Sequence, residues 1–135
     1  MKPSLQPGLS LVRRVPVGKE KTIGFMGDEG RVYATPYLIG DIEYTCRNLV
    51  LEHAEPNEDT VGIEVAIKHL APTLPGSTVE ITATVTAVEG RKVTFAVTAK
   101  DEIDTISSGS HARFVVDNAK TIERLKAKAA KLRPV

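Results

Sequence analysis

The chain has 135 residues, 18 Lys plus Arg against 17 Asp plus Glu, and a formal net charge of +1. A balanced charge gives no global field to recruit nucleic acid or anionic lipid, and 4% aromatics with no Trp leaves no base-stacking platform. The length fits one domain, residues 1–135, with a real core. No run approaches the roughly 20 apolar residues that cross a bilayer, and no apolar run of signal-peptide length follows the first residues. The single Cys46 suits a reducing compartment, so a cytoplasmic protein with no nucleic-acid or membrane partner is expected.

Leu9 to Val17 is rich in Leu and Val and reads as a strand, with Pro16 pushing it to an edge or a strand end. Residues 18–31, with their glycines and mixed charges, read as a loop or flap, and Arg31-Val32-Tyr33-Ala34 as a short strand. A helix is then expected. Thr35 can cap it, Pro36 fits its first position, and Leu38, Ile39, Ile42, Cys46, Leu49 and Val50 recur at helical spacing. Gly40 is unfavourable in a helix interior and marks a close approach of backbone or ligand. Glu43 borders the apolar stripe, whereas Asp41 points away from it. The helix ends near His53, before the polar turn Glu55-Pro56-Asn57-Glu58-Asp59.

The remainder alternates with a period of two. Val61, Ile63, Val65, Ile67 and His69 share one strand face, and Val79, Ile81, Ala83, Val85 and Ala87 share another. Glu89-Gly90 turns tightly into Val93, Phe95 and Val97. Ile103 to Val116 is a last long strand interrupted at Ser107-Ser108-Gly109. Asp117 caps a closing helix over about 117–132, with Ile122, Leu125, Ala129 and Leu132 on its apolar edge. The expected class is α+β: a twisted antiparallel sheet wrapped around one long central helix, plus a C-terminal helix. That is the outline of a hotdog fold, although period alone also permits a cystatin-like roll.

A carboxylate on a buried helix is exposed, paired or tuned for chemistry. Glu43 therefore heads the candidates, with Thr35 at the helix start and His69 in a run of core positions. A Glu–His pair is a workable base system and a helix N-terminus can stabilise an oxyanion. Each also has a plainer reading: a cap, a snorkelling carboxylate, a structural histidine. His53-Ala54-Glu55 lacks a third metal ligand nearby, Cys46 lacks an activating cation, and no phosphate-binding loop is present, so no metal is expected.

From about Val32 to Val116 the chain resembles the fluoroacetyl-CoA thioesterase group of hotdog proteins. The matching pieces are Ala34-Thr35, Gly40 and Glu43, Val61-Gly62 opening a strand that ends at His69, Pro75-Gly76, Val88-Glu89-Gly90-Arg91, and Ser108-Gly109-Ser110-His111-Ala112-Arg113. The resemblance implies a catalytic set of Thr35, Glu43 and His69. It also implies a backbone at Gly62 beside the thioester and Arg113 near the acyl pocket. It implies hydrolysis of a short-chain acyl-CoA, with CoA part of the substrate and no other cofactor. A homodimer is implied too, with back-to-back helices and the active site at its interface; such dimers can pair into larger assemblies. Glu43 would serve as general base or nucleophile, His69 would orient or protonate, and Thr35 would hold a carboxylate or carbonyl. The family's phenylalanine-rich lid has no counterpart at Met26-Gly27-Asp28-Glu29-Gly30-Arg31, and Phe25 lies earlier. A non-catalytic acyl-CoA binding module and a structural dimerisation domain are the competing readings; a hydratase would need an Asp/His arrangement that is not found.

Overall fold

The computed structural model describes residues 1–132. Strands β1 (Ser10–Pro16), β2 (Glu58–His69), β3 (Thr78–Glu89), β4 (Lys92–Lys100) and β5 (Thr105–Asp117) form one antiparallel sheet in the order β1-β3-β4-β5-β2. Helix α1 (Thr35–Leu51) packs on one sheet face, and helix α2 (Asn118–Ala130) follows β5. This is the hotdog arrangement.

The period-two pattern explains the sheet. Val79, Ile81, Ala83 and Val85 of β3 and Val93, Phe95, Val97 and Ala99 of β4 are buried against Leu38, Ile42, Cys46, Leu49 and Val50 of α1. The β3–β4 hairpin closes with Glu89 opposite Lys92, and Gly90 takes φ +62, where a Cβ would be strained.

Several local features differ from expectation. The short strand at 31–34 reduces to a bridge between Thr22 and Tyr33, because Tyr33 N–H bonds Thr73 O at 2.8 Å and Ala34 N–H bonds Lys21 O at 2.9 Å. That divides the segment's hydrogen bonds between two neighbours. Ala34, not Thr35, occupies the N-cap position, and α1 stops at Leu51. β2 begins earlier than expected, at Glu58, and its face switches. Antiparallel partners share a face; the buried Arg113 and His111 pair with Gly62 and Val65, so a bulge between Gly62 and Glu64 turns Val61 away from the side that Val65 joins. β5 runs unbroken through Ser107-Ser108-Gly109. A Cβ on Gly109 would sit 2.1 Å from Ala66 O, so glycine is what lets β2 and β5 approach.

Asp117 caps α2 as expected, its Oδ1 accepting from Lys120 N–H at 3.0 Å. No residue of Asn118–Ala130 is buried, so the apolar edge of Ile122 and Leu125 lies open. Gly40 has nothing within 4 Å of a built Cβ, so it marks no close approach within the chain.

Candidate active site

Two clusters hold the expected residues. Thr35 begins α1 and His69 ends β2, and their side chains meet: Thr35 Oγ1 lies 2.8 Å from His69 Nδ1. The hydroxyl thus engages an imidazole rather than capping its own helix. Burial depresses the His69 pKa below its ordinary 6.5, so the ring is neutral at pH 7. Its Nε2 is buried and has no hydrogen-bond partner among the described residues, which marks an atom with capacity to spare. The pair borders a recess of about 420 Å³ that Val32, Leu70 and Phe25 also line; the Phe25 ring is 84% exposed.

Glu43 belongs to the second cluster. It is half-buried, and its Oε1 would lie 3.2 Å from a Cβ on Gly62, with His111 Cε1 at 3.3 Å and an Arg113 guanidinium nitrogen at 3.4 Å. The missing side chain of Gly62 therefore leaves a gap between a carboxylate, an imidazole and a guanidinium. Arg113 is held tightly: Nε donates to Thr60 Oγ1 at 2.7 Å, a second nitrogen donates to Thr60 O at 2.9 Å, and the third donates to His111 Nε2 at 3.2 Å. A recess of about 530 Å³ opens here, lined by Glu43, Tyr44, Arg47, Asp59, Thr60 and Arg113. Arg47 closes one side with a bidentate pair to Asp59, at 2.9 and 2.7 Å.

The clusters do not converge within the chain. Thr35 and Glu43 are eight helical residues apart, about 12 Å of rise, and Gly62 and His69 are on the order of 20 Å apart along β2. Glu43 of a chain cannot hydrogen-bond its own His69 from there.

Other residues stand where the sequence did not place them. The deeply buried carboxylate of α1 is Asp41, 7% exposed, not Glu43. It accepts from the Tyr33 hydroxyl, and from Lys21 Nζ at 3.0 and 3.1 Å, on the side facing the 18–34 segment. Desolvation and the neighbouring carboxylate push the Tyr33 pKa well above its ordinary value, keeping it a donor. His111 carried no role in the sequence reading; the Arg113 two positions on was the available pointer. Burial drives the Cys46 thiol up to about 12, which removes it as a nucleophile. His53 Nδ1 lies 2.8 Å from Ser4 Oγ, and no cluster of metal-ligating side chains occurs among the described residues.

The model of the fluoroacetyl-CoA-specific thioesterase family matches residues 17–119. The chain belongs to this family. A fluoroacetyl-CoA thioesterase of Streptantibioticus cattleyicolor is 36% identical over 103 residues, spanning 76% of this chain and 71% of that protein. A mutant fluoroacetyl-CoA-specific thioesterase crystallised with fluoroacetate and CoA aligns at 31% identity and TM-score 0.80, over 87% of this chain and 99% of its own. A hypothetical protein of Thermus thermophilus, a thioesterase superfamily member, aligns at 30% identity and TM-score 0.85, over 98% and 100%. This thioesterase-family chain thus holds its candidate residues in two separate clusters, Thr35 with His69 and Glu43 with Gly62 and Arg113.

Proposed function

We propose that this protein hydrolyses a short-chain acyl-CoA thioester to the free acid and CoA, as a homodimer whose two half-sites join across the interface. The observation that carries the reading is the gap at Gly62, on the edge strand β2, where a Glu43 carboxylate oxygen lies 3.2 Å from the place a Cβ would take. A thioester carbonyl seated there meets Glu43 on one side and backbone N–H groups on the other.

Support for the dimer comes from two open surfaces. β2 is an edge strand with exposed Val61, Ile63 and Val65, a surface that a second strand would cover. On α1, Tyr37 and Tyr44 are exposed around half-buried Gly40 at helical spacing, and the glycine lets two helices approach back to back. Antiparallel pairing of two β2 strands about a two-fold near Val65, with Ile63 as the extra residue of the bulge, sets Gly62 opposite the partner's Ile67 and on the same face as the partner's His69. Gly62 and Glu43 then adjoin the partner's Thr35–His69 pair, and His69 Nε2 gains the neighbour it lacks.

In this arrangement water adds to the thioester carbon as Glu43 takes its proton, and backbone N–H groups at Gly62 hold the oxyanion. The C–S bond then breaks, and the CoA thiolate leaves, taking up a proton. With Thr35 O–H donating to Nδ1, His69 carries its proton on Nε2 and donates to the carboxylate or the departing sulfur. A covalent route through a Glu43 anhydride uses the same atoms. Trapping the acyl group on Glu43 in a rapid acid quench separates the two, since only the covalent route joins substrate to the carboxylate. Without phenylalanine at 26–31, selectivity for fluoroacetyl over other short acyl groups is not expected. The free, buried Cys46 fits a cytoplasmic setting.

The test is thiol release from a panel of short acyl-CoAs. Wild type should turn over at least one, and Glu43→Gln should lose activity by 100-fold or more, on the order expected of an essential acid–base group. Full activity in Glu43→Gln sinks the assignment. CoA-thioester binding without turnover of any panel member would make the protein a binding module instead.

A further inference from the structure

We propose that His111 is a positioning residue that sets the peptide at the Gly62 bulge, acting through the Glu64 carbonyl. The inference rests on the hydrolysis reading, in which the Gly62 backbone faces the thioester.

His111 projects from β5 into the interior and is 1% exposed. Its Nδ1 lies 2.7 Å from Glu64 O and its Nε2 lies 3.2 Å from an Arg113 guanidinium nitrogen. A carbonyl only accepts and a guanidinium only donates, so the ring is neutral with its proton on Nδ1. The register of β2 against β5 slips between Gly62 and Glu64, which leaves Ile63 as the extra residue of the bulge. The backbone directly after that residue is thus tied by a side chain from the neighbouring strand. The backbone directly before it, at Gly62, stands against the same imidazole, its built Cβ 3.3 Å from Cε1. The ring itself stacks on Phe95, centroids 6.2 Å apart and planes 24° apart, so it cannot tilt freely. One imidazole therefore holds the bulge at Glu64, borders it at Gly62 and accepts from Arg113. It need not touch substrate to fix where the Gly62 peptide points.

Two substitutions separate its two hydrogen bonds. His111→Asn carries an amide nitrogen near the Nδ1 position and can still donate to Glu64. His111→Gln reaches the Nε2 level and can accept from Arg113, but leaves the Glu64 carbonyl without its donor. If the bulge is the point of action, His111→Gln loses kcat by roughly 100-fold, the scale of an oxyanion donor displaced, with KM near wild type. His111→Asn stays within a few-fold. Both should melt at similar temperatures. The Gly62 and Ile63 amide resonances should move in His111→Gln and hold in His111→Asn, a readout that needs no turnover. Unchanged Gly62 resonances in His111→Gln, equal kcat in the two variants, or kcat losses that merely follow the melting temperature would each overturn the proposal. If wild type hydrolyses no thioester, the hydrolysis reading fails and the resonances alone decide the role of His111.

Discussion

Mixing two dead variants should restore activity. Glu43→Gln removes the carboxylate and leaves Thr35–His69 intact; His69→Ala does the reverse. Within a chain, the two groups are separated by about 12 Å of helix and on the order of 20 Å of strand. A site that uses both must therefore draw on two copies. In a mixed dimer one site then pairs intact Glu43 with intact His69, and the other carries both lesions. Equal amounts, unfolded together and refolded, give roughly half mixed dimers with one working site of two, hence about a quarter of wild-type activity. Each variant alone should sit near background. The assay is thiol release on the best panel substrate, before and after subunit exchange, with dimer content followed by light scattering. If exchange is demonstrated by differently tagged subunits and activity stays at background, the half-sites do not join across the interface.

Further outcomes follow from single atoms. Gly62→Ala places a methyl 3.2 Å from Glu43 Oε1 and 3.3 Å from the His111 ring. It should fold with a stability loss of about 1 kcal/mol and lose kcat/KM by tenfold or more, read from denaturant midpoints and thiol release. Gly109→Ala puts Cβ 2.1 Å from a backbone oxygen that no rotamer can move, so β2 should detach from β5, with about 3 kcal/mol lost in urea unfolding. Asp41→Ala strands the Tyr33 hydroxyl and Lys21 and should cost about 3 kcal/mol, with Asp41→Asn costing less. Burial lowers the His111 pKa below its ordinary 6.5, with Arg113 adding to the effect and Glu43 and the Glu64 hydrogen bond opposing it. The unfolded chain binds that proton first, so the stability this ring contributes is present above pH 6.5 and is lost as pH falls through the folded value. Wild type should therefore lose urea resistance between pH 7.5 and 5 more steeply than His111→Asn.

The parts most legible in the sequence were those governed by one physical signal over many residues. Alternation from Val79 to Val97 and the stripe from Leu38 to Val50 gave the sheet, the helix and their contact. What escaped depends on single backbone events. A bulge leaves no compositional trace beyond a glycine, so the face assigned to Val61 was carried past the point where it switches. Ser107-Ser108-Gly109 read as an interruption because small residues often break strands; here they admit a neighbouring strand. Thr35 suited a cap by residue type, yet tertiary contact gave its hydroxyl to His69. Asp41 looked solvent-facing because helical spacing is blind to what the preceding segment lays over that side. Glu43, Thr35 and His69 were all named, but spacing along one chain cannot say that two of them adjoin while the third stands apart.

Asp41 has a consequence for how this protein can change. Lys21 and Tyr33, at the two feet of the loop that carries Phe25 and Met26, are fastened to the same carboxylate. A loop with a shared anchor can be lengthened, shortened or recoloured at its tip while its ends stay where they are. Ile23 and Phe25 of this loop line the recess beside Thr35 and His69, so substitutions there can reshape the recess without disturbing the hydroxyl–imidazole pair. The knot under the loop separates what is chemically fixed from what is free to diverge.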